Sequence, residues 1–462
     1  MQANHEVMKK LRIEEDTLGK IEIAEENLWG AQTERSFRNF KIGHEQMPKE
    51  LIYALAVVKK AAAYANFECG VLTEQKKRNI EICCDYILSG KWDSHFPLVV
   101  WQTGSGTQTN MNLNEVIVNG SQFFDPSAEK LSAHDDVNKS QSTNDVFPTG
   151  MRIATVQMII RRLLPALQNL ALALEHKVVQ FKKIKKIGRT HLMDAIPLTL
   201  GEEFSAFYAQ LTHNIVAIEN SLPHLMELPV GGTAVGNALN APPQYDKLVV
   251  TYINTFTDLA FTVAENKFEG IATHDSFVEV SGSLKRLAVS LMKIANDIRL
   301  LASGPRCGLS EIVLPANEPG SSIMPGKVNP TQCEALIMVC CQVIGNDTAI
   351  TTGALQGQLQ LNTFMPLIIR NILHSVELLS DAMTSFQKHC VEGIEPDLDN
   401  IAKHLQNSLM LVTALNPHIG YNNAAKIAQY AHQHKITLRE AAIRLDMLSG
   451  EVFDNIVSNI LK

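Results

Sequence analysis

The sequence predicts an all-α protein built on an elongated bundle of long helices, with a smaller domain at each end of the chain. Apolar residues recur at helical spacing over long stretches, and several of these reach the ~20 residues, or ~30 Å, of a bundle helix. Alternation at strand spacing is scarce, and nothing in the sequence resembles a βαβ repeat. The long stretches of the central region are 200–228, 277–302, 330–345 and 364–390.

These patterns divide the chain into three predicted domains. Residues 11–138 are uneven, with short apolar patterns and loops, as in a small N-terminal domain. A pattern over 151–181, which Pro165 is expected to kink, opens the central bundle. The tail is predicted to be a small helical domain with Pro417 and Gly420 at its turn. The predicted boundaries are 1–138 for the N-terminal domain, 139–397 for the long-helix bundle and 398–462 for the C-terminal domain.

Composition and charge limit the partners of this protein. The 462 residues have a formal net charge of −7, which gives no electrostatic case for nucleic acid. The eight cysteines lack CxxC spacing, which predicts reduced thiols in a cytosolic protein. The polar N-terminus suits neither a signal peptide nor a transit peptide, and no apolar run approaches the ~20 residues that span a bilayer. We therefore expect a cytoplasmic protein without a membrane or nucleic-acid partner.

A polar loop at 320–330, which we call the serine loop, separates two of the long helical patterns. Asn329 can cap the following helix, and Pro330 suits its first position because the missing N–H would be unpaired there. The start of a helix carries partial positive charge, so the loop is suited to bind an anion. An ordinary surface turn before a helix is the alternative. The other polar and flexible residues of the loop are Gly320, Ser321, Ser322, Gly326 and Lys327.

The string GSSIMPGKVNP of the serine loop resembles the signature loop of the fumarase/aspartase superfamily. The flanking strings GPRCG at 304–308 and TQCEAL at 331–336 are similar to the class II fumarase branch, and the resemblance runs from 28–33 to 416–421. It implies a fumarase/aspartase-like bundle, assembled as a homotetramer in which three chains contribute to each site. It also implies a small dicarboxylate substrate, no metal and no cofactor.

Two polar runs in the first part of the chain are candidates for substrate contact. The run at 101–112 places hydroxyls and amides around two glycines before a helical pattern, and such neutral donors can orient a carboxylate. A helix-capping turn is the alternative. The run at 136–145 contains a triplet that matches substrate-contacting residues of class II fumarases. The substrate-binding residues implied here are Ser105, Gly106, Thr107, Ser142, Thr143 and Asn144.

The residues before the triplet depart from the family. Class II fumarases have His-Pro-Asn-Asp there, described as a second, non-catalytic dicarboxylate site. This chain has Ser132, Ala133, His134 and Asp135 instead. We therefore expect the secondary site to be altered or absent.

The third polar run, 188–195, contains the candidate catalytic histidine. Thr190 and His191 match the family's active-site pair, whereas related aspartases generally carry glutamine at the second position. A helix start follows, because the spacing of Thr199 and Glu202 fits a capping box.

The resemblance assigns roles to these residues. Ser321 would be the base that removes the C3 proton of malate, and His191, paired with Glu334, would handle the water. An electrostatic role at the helix start is the alternative for Glu334. Stabilising the resulting aci-carboxylate requires preorganised donors and positive charge. The remaining substrate-binding residues are Ser322, Lys327, Val328 and Asn329.

Three functions are weighed. The favoured one is fumarate hydratase of the tricarboxylic acid cycle, which interconverts (S)-malate with fumarate and water. The closest alternative is an aspartate ammonia-lyase of the same fold. A non-catalytic helical protein would be marked by loss of Ser321, Lys327 or His191, and all three are present.

Overall fold

The structure, a computed structural model, describes residues 10–127 and 129–461, and most of these residues are helical. In chain order the α-helices are α1 (Ala31–Asn39), α2 (Lys49–Glu68), α3 (Glu74–Leu88), α4 (Thr107–Phe124), α5 (Thr143–Met158), α6 (Leu164–Phe181), α7 (Leu200–Asn220), α8 (Leu222–Leu225), α9 (Tyr245–Thr257), α10 (Lys267–Ala272), α11 (Asp275–Leu301), α12 (Thr331–Ala354), α13 (Met365–His389), α14 (Leu398–Asn407), α15 (Asn416–Ile419), α16 (Tyr421–His434), α17 (Leu438–Arg444) and α18 (Gly450–Leu461). The strands are β1 (Leu11–Asp16), β2 (Gly19–Ala24), β3 (Lys185–Thr190), β4 (Met193–Thr199), β5 (Glu227–Leu228), β6 (Thr262–Val263), β7 (Ile312–Val313) and β8 (Glu395–Pro396). The predicted helical-bundle class is confirmed.

The long apolar patterns form the long helices, with two differences. The pattern at 200–228 divides, because α7 ends at Asn220 and Pro223, which lacks an N–H, lies in the short α8. The pattern at 151–181 corresponds to two helices, α5, which begins before the pattern at Thr143, and α6. A π-helical turn, Ile159–Leu163, joins them. This turn ends at Leu163, two residues before Pro165, and the kink expected at the proline stays a prediction.

The chain divides into two compact units, each made of three chain segments. Of the described residues, unit 1 comprises 10–127, 129–164, 216–286 and 341–379, and unit 2 comprises 165–215, 287–340 and 380–461. Their boundaries lie within helices α6, α7, α11, α12 and α13. The three-domain division of the sequence stays a prediction.

In unit 1, the alanine-rich helix α2 is the central element. Most of its residues are buried, and it packs against α3, α5 and α9. The small side chains allow close approach of these neighbours. Unit 1 also contains the β1–β2 hairpin, which the sequence analysis missed although the strings LRIEED and GKIEIA alternate at strand spacing.

In unit 2, the C-terminal helices form a core of their own. Leu415 and Ile427 are fully buried there, and Ile187 of β3 belongs to the same cluster. The predicted turn at Pro417 and Gly420 is confirmed, because α15 contains the proline and ends at the glycine.

Helix α12 differs from the expectation that no apolar run approaches the length of a membrane span. By length and composition alone it is apolar enough to cross a membrane, and 39% of its most apolar window is buried in the single chain. Core helices of soluble proteins pass the same test.

Candidate active site

The first predicted segment, 105–107, lies in unit 1 at the start of α4. A Cβ on Gly106 would lie 2.2 Å from the ring of Phe147, and this residue has a φ of +74°, so glycine is required by both packing and backbone. The hydroxyls of Ser105 and Thr107 lie 3.0 Å apart. Two neutral donors and the first N–H groups of α4 therefore share one place, as substrate binding would need.

The second segment, Ser142–Asn144, begins α5. Ser142 Oγ accepts a hydrogen bond from the Asn144 N–H at 3.2 Å, and the Asp145 carboxylate accepts one from the Ser142 N–H at 2.9 Å. Asn110 of α4 donates to Thr143 Oγ1 at 3.0 Å, so the triplet is bonded to the helix that begins at the first predicted segment.

The carboxylate of Asp145 fixes the triplet to a second loop. Its Oδ2 accepts from the N–H groups of Gly231 at 2.8 Å and Thr233 at 3.1 Å. Burial raises the pKa of Asp145 to about 6, although its backbone donors and the charge of Lys59 act in the opposite direction. The side chain of Asn144 reaches the same loop, donating to the Ala234 carbonyl at 2.8 Å.

The third segment lies in unit 2 at the tip of the β3–β4 hairpin. Thr190 pairs with Met193, which leaves His191 and Leu192 as a two-residue turn with φ values of 57° and 61°. Positive φ at both positions is the mark of a type I′ turn. His191 is exposed and lies at a defined hairpin tip, which the sequence analysis did not predict for this polar run. The capping box of Thr199 and Glu202 at the end of β4 is confirmed.

A buried ion cluster that the sequence analysis missed lies beneath this hairpin. The carboxylate of Glu311, fully buried, lies 2.9 Å from Arg189 Nη2 and 2.9 Å from Lys186 Nζ. Lys186 also pairs with Glu203 at 2.8 Å. Burial opposes ionisation of Glu311, but the hydrogen bond from Arg189 and the charge of Lys186 outweigh it and lower its pKa.

The serine loop, also in unit 2, closes on itself. The Gly320 N–H donates to the Lys327 carbonyl at 2.8 Å, and the Asn329 side chain donates to the Gly320 carbonyl at 2.6 Å. Ser321 Oγ accepts hydrogen bonds from the N–H groups of Ile323 at 3.2 Å and Met324 at 3.0 Å. Two donors aimed at one hydroxyl oxygen would favour its ionised form.

The predicted cap at Asn329 is wrong. Helix α12 begins at Thr331, and the Pro330 carbonyl accepts the N–H of Glu334 at 3.1 Å, so Pro330 precedes the first helical residue. The Asn329 amide closes the loop by bonding to Gly320, which keeps it from capping.

The remaining serine-loop residues are accessible in the single chain. Ser322, Lys327 and Val328 are exposed, and the loop borders a cavity of about 430 Å³ lined by 316–321 and 324–328. Glu334 is exposed on the first turn of α12. Among the described residues, no hydrogen bond or ion pair joins His191 to Glu334 within one chain.

The residues of the altered secondary site form a turn of their own. Ser132 caps the π-helical turn Ala133–Val137, and its hydroxyl both accepts from the Asp135 N–H and donates to the Asp135 carboxylate. His134 is exposed and lies 3.3 Å from the Gln32 amide. The described side chains include no group of three or more His, Cys, Asp or Glu arranged to hold a metal ion.

Comparison with known proteins places this chain among the lyases. A family model described as Lyase matches residues 19–345, and one described as Fumarase C C-terminus matches 411–459. The crystal structure of a 3-carboxy-cis,cis-muconate lactonizing enzyme from Pseudomonas putida is 20% identical over 88% of this chain and 89% of that chain, with a TM-score of 0.72, and shows the fold alone.

More similar proteins define the branch. The class II fumarate hydratase of Pasteurella multocida is 58% identical over 96% of this chain and 97% of its own length. The crystal structure of class II fumarase from Schistosoma mansoni has a TM-score of 0.95 and 44% identity, covering 98% of each chain. The chain belongs to the class II fumarate hydratase family, which confirms the resemblance drawn from its sequence and makes it a lyase.

The ion cluster under the hairpin yields a stability prediction. Glu311→Gln should lower the free energy of unfolding at pH 7 by about 3 kcal/mol, because it removes the buried carboxylate that pairs with Lys186 and Arg189. Since the folded pKa of Glu311 lies below its unfolded value of about 4.3, its contribution is present above that value and is lost as pH falls through the lowered pKa. Denaturant titrations at pH 7 and at a pH below the lowered pKa of Glu311 measure the free energy of unfolding of both proteins.

The control is Glu203→Gln, whose carboxylate is 25% exposed and should cost about 1 kcal/mol or less. An equal loss for Glu311→Gln at pH 7 and at a pH below the lowered pKa of Glu311 would contradict the assignment, because the wild-type carboxylate is protonated there.

Proposed function

We propose that this chain is a fumarate hydratase of the tricarboxylic acid cycle, which interconverts (S)-malate with fumarate and water. The observation that carries the mechanism is the environment of Ser321, whose oxygen accepts two backbone N–H bonds within a loop that carries Lys327. Its relatives in Pasteurella multocida and Schistosoma mansoni are named for this activity.

In the proposed reaction the Ser321 alkoxide removes the C3 proton of malate. The electron pair moves into the neighbouring carboxylate, giving an aci-carboxylate stabilised by Lys327, Asn329 and the positive end of α12. The C2–O bond then breaks, and protonated His191 gives its proton to the leaving hydroxide. Fumarate and water leave, and a proton passes from Ser321 back to His191 through solvent. No metal or cofactor enters this scheme.

The other residues orient the substrate. Neutral hydroxyl, amide and N–H donors hold the two carboxylates without adding charge of their own. Glu334, from the first turn of α12, accepts from His191 and fixes its orientation. The residues in the binding role are Ser105, Gly106, Thr107, Ser142, Thr143, Asn144, Thr190, Ser322 and Val328.

The protein is proposed to act as a homotetramer in the cytoplasm. In unit 2, Val289 of α11 is 56% exposed and Met338 of α12 is 67% exposed, although both are large and apolar. Packing of these helices against other protomers would remove that surface from water. It would also account for the apolar composition of α12 without a membrane.

The secondary dicarboxylate site is proposed to be absent. The Asp135 N–H is already bonded to Ser132, and acidic Glu14, Glu15 and Glu115 line the adjoining cavity of about 360 Å³. A second dicarboxylate bound at 132–135 in crystals grown with malate would contradict this.

The activity itself is tested by supplying substrates separately. Malate should give the ultraviolet absorbance of a conjugated diacid at a rate typical of an enzyme, whereas L-aspartate should give almost none, because His191 stands where aspartases generally have glutamine. Fast release of ammonia from aspartate with negligible malate turnover would establish the ammonia-lyase instead.

The base is tested with Ser321→Ala. The rate of malate dehydration should fall by at least about a thousandfold, because no other group takes the C3 proton. The circular dichroism spectrum should not change. Ser458→Ala, which removes a helical hydroxyl that donates to the Asn455 carbonyl, is the matched control with wild-type rate. Near-wild-type kinetics of Ser321→Ala would contradict the assignment of Ser321 as the base.

The shared site is tested by mixing two inactive variants. If Ser321 and His191 of one site come from different protomers, co-expressed Ser321→Ala and His191→Asn chains should regain about a quarter of wild-type activity by random assembly into a closed oligomer. Each variant alone should stay inactive. Absence of any gain in hybrids confirmed by mass spectrometry, or a monomeric mass for wild type, would refute the shared arrangement.

A further inference from the structure

The substrate-binding triplet of unit 1 is preceded by a loop, 138–141, that is attached to α2 at two buried points. The first point is Lys59, which is fully buried and donates from Nζ to Asn138 Oδ1 at 2.9 Å and to Gln141 Oε1 at 3.0 Å. Both acceptors are neutral amides. A buried ammonium without a bonded carboxylate is costly, so a purely structural site would favour an apolar side chain there.

The second point is Asn66, seven residues further along α2 and therefore on the same face. Its amide donates to the Lys139 carbonyl at 3.0 Å, and its oxygen accepts the Ser140 hydroxyl at 2.7 Å. Ser140 has a φ of 63°, a left-handed conformation that few non-glycine residues adopt. The two bonds of Asn66 hold this unfavourable bend in place directly before Ser142.

The bonds continue from the anchors to the triplet. Asn138 Oδ1, which accepts from Lys59, also accepts from Asn110 at 3.1 Å, and the same Asn110 amide donates to Thr143 Oγ1 at 3.0 Å. Lys59 is thus linked to a predicted substrate contact through two intervening side chains. Asn110 also lies on α4, which begins at the other predicted segment of this unit.

We propose that Lys59 and Asn66 are positioning residues that fix the Ser142–Asn144 triplet, and through Asn110 its distance from Ser105–Thr107, for binding of the dicarboxylate. This inference rests on the substrate-contacting role proposed for the triplet. Neither residue touches the substrate; each acts through the 138–141 loop.

The charge environment of Lys59 agrees with such a role. Burial lowers the pKa of Lys59 to about 7, against the opposing influence of Asp145 and Cys84. Asp145 is the same carboxylate that accepts the Ser142 N–H at the start of α5, so Lys59 and Asp145 both bond to chain segments next to the triplet.

The test separates positioning from general stability. Lys59→Met and Asn66→Ala should each raise KM for malate about tenfold while kcat stays within about twofold, because neutral contacts that hold the substrate equally in ground and transition states are displaced. The matched controls are Lys177→Met and Asn214→Ala. These are a buried lysine and a buried asparagine on other helices with comparable hydrogen bonds, and their KM should not change.

Thr143→Val separates the positioning role of Lys59 and Asn66 from the substrate-binding role of the triplet. If Thr143→Val raises KM but Lys59→Met and Asn66→Ala do not, the positioning inference fails and the triplet assignment stands. If Thr143→Val leaves KM unchanged, the assignment of the triplet itself fails. Equal rises in KM for the Lys177→Met and Asn214→Ala controls would show that general destabilisation causes the effect, and would overturn the inference. If Lys59→Met does not fold, Asn66→Ala decides the matter with its own control.

Discussion

Everything in the proposed chemistry depends on the two backbone N–H groups that point at Ser321 Oγ. A free serine hydroxyl is too weak an acid to act as a base near neutral pH, so its ionised form must be stabilised where it stands. Fixed N–H dipoles can do this without a further acidic or basic side chain, provided the loop does not move. The bond from Asn329 to the Gly320 carbonyl and the bond from Gly320 to the Lys327 carbonyl hold the loop in that shape.

The same design recurs at the other segments. The triplet lies at a helix start and His191 at a hairpin tip, and each of these two segments is held by buried polar side chains whose partners come from distant parts of the chain. Asp145 and Lys59 hold the triplet at the start of α5, and Glu311 holds the hairpin that presents His191. A chain with a net charge of −7 can then present positive and neutral donors to a dianion, because its acidic groups at these places are already satisfied.

Features that depend on residues close together in the sequence could be predicted, and features that depend on residues far apart in the sequence could not. The capping box of Thr199 and Glu202 depends on neighbours within a few residues, and it was predicted. The β3–β4 hairpin was missed because Gly188 and Pro197 are residue types that disfavour strands. The two strands nevertheless pair across the tight turn. Lys59 and Glu311 could not be singled out, because their partners lie 79 and 122 positions away.

The exposure of His191 is compatible with precise chemistry. Its backbone is fixed by a type I′ turn over a buried ion cluster, so an exposed side chain here still has a defined direction. The next two residues, Leu192 and Met193, are 73% and 69% exposed and apolar, which is an unfavourable surface for an isolated hairpin tip. Covering them with another protomer in the proposed assembly would bury that surface and exclude water around the histidine. Electrostatic stabilisation of the aci-carboxylate is stronger in such a dry site, so the contact that stabilises the oligomer would also favour the reaction.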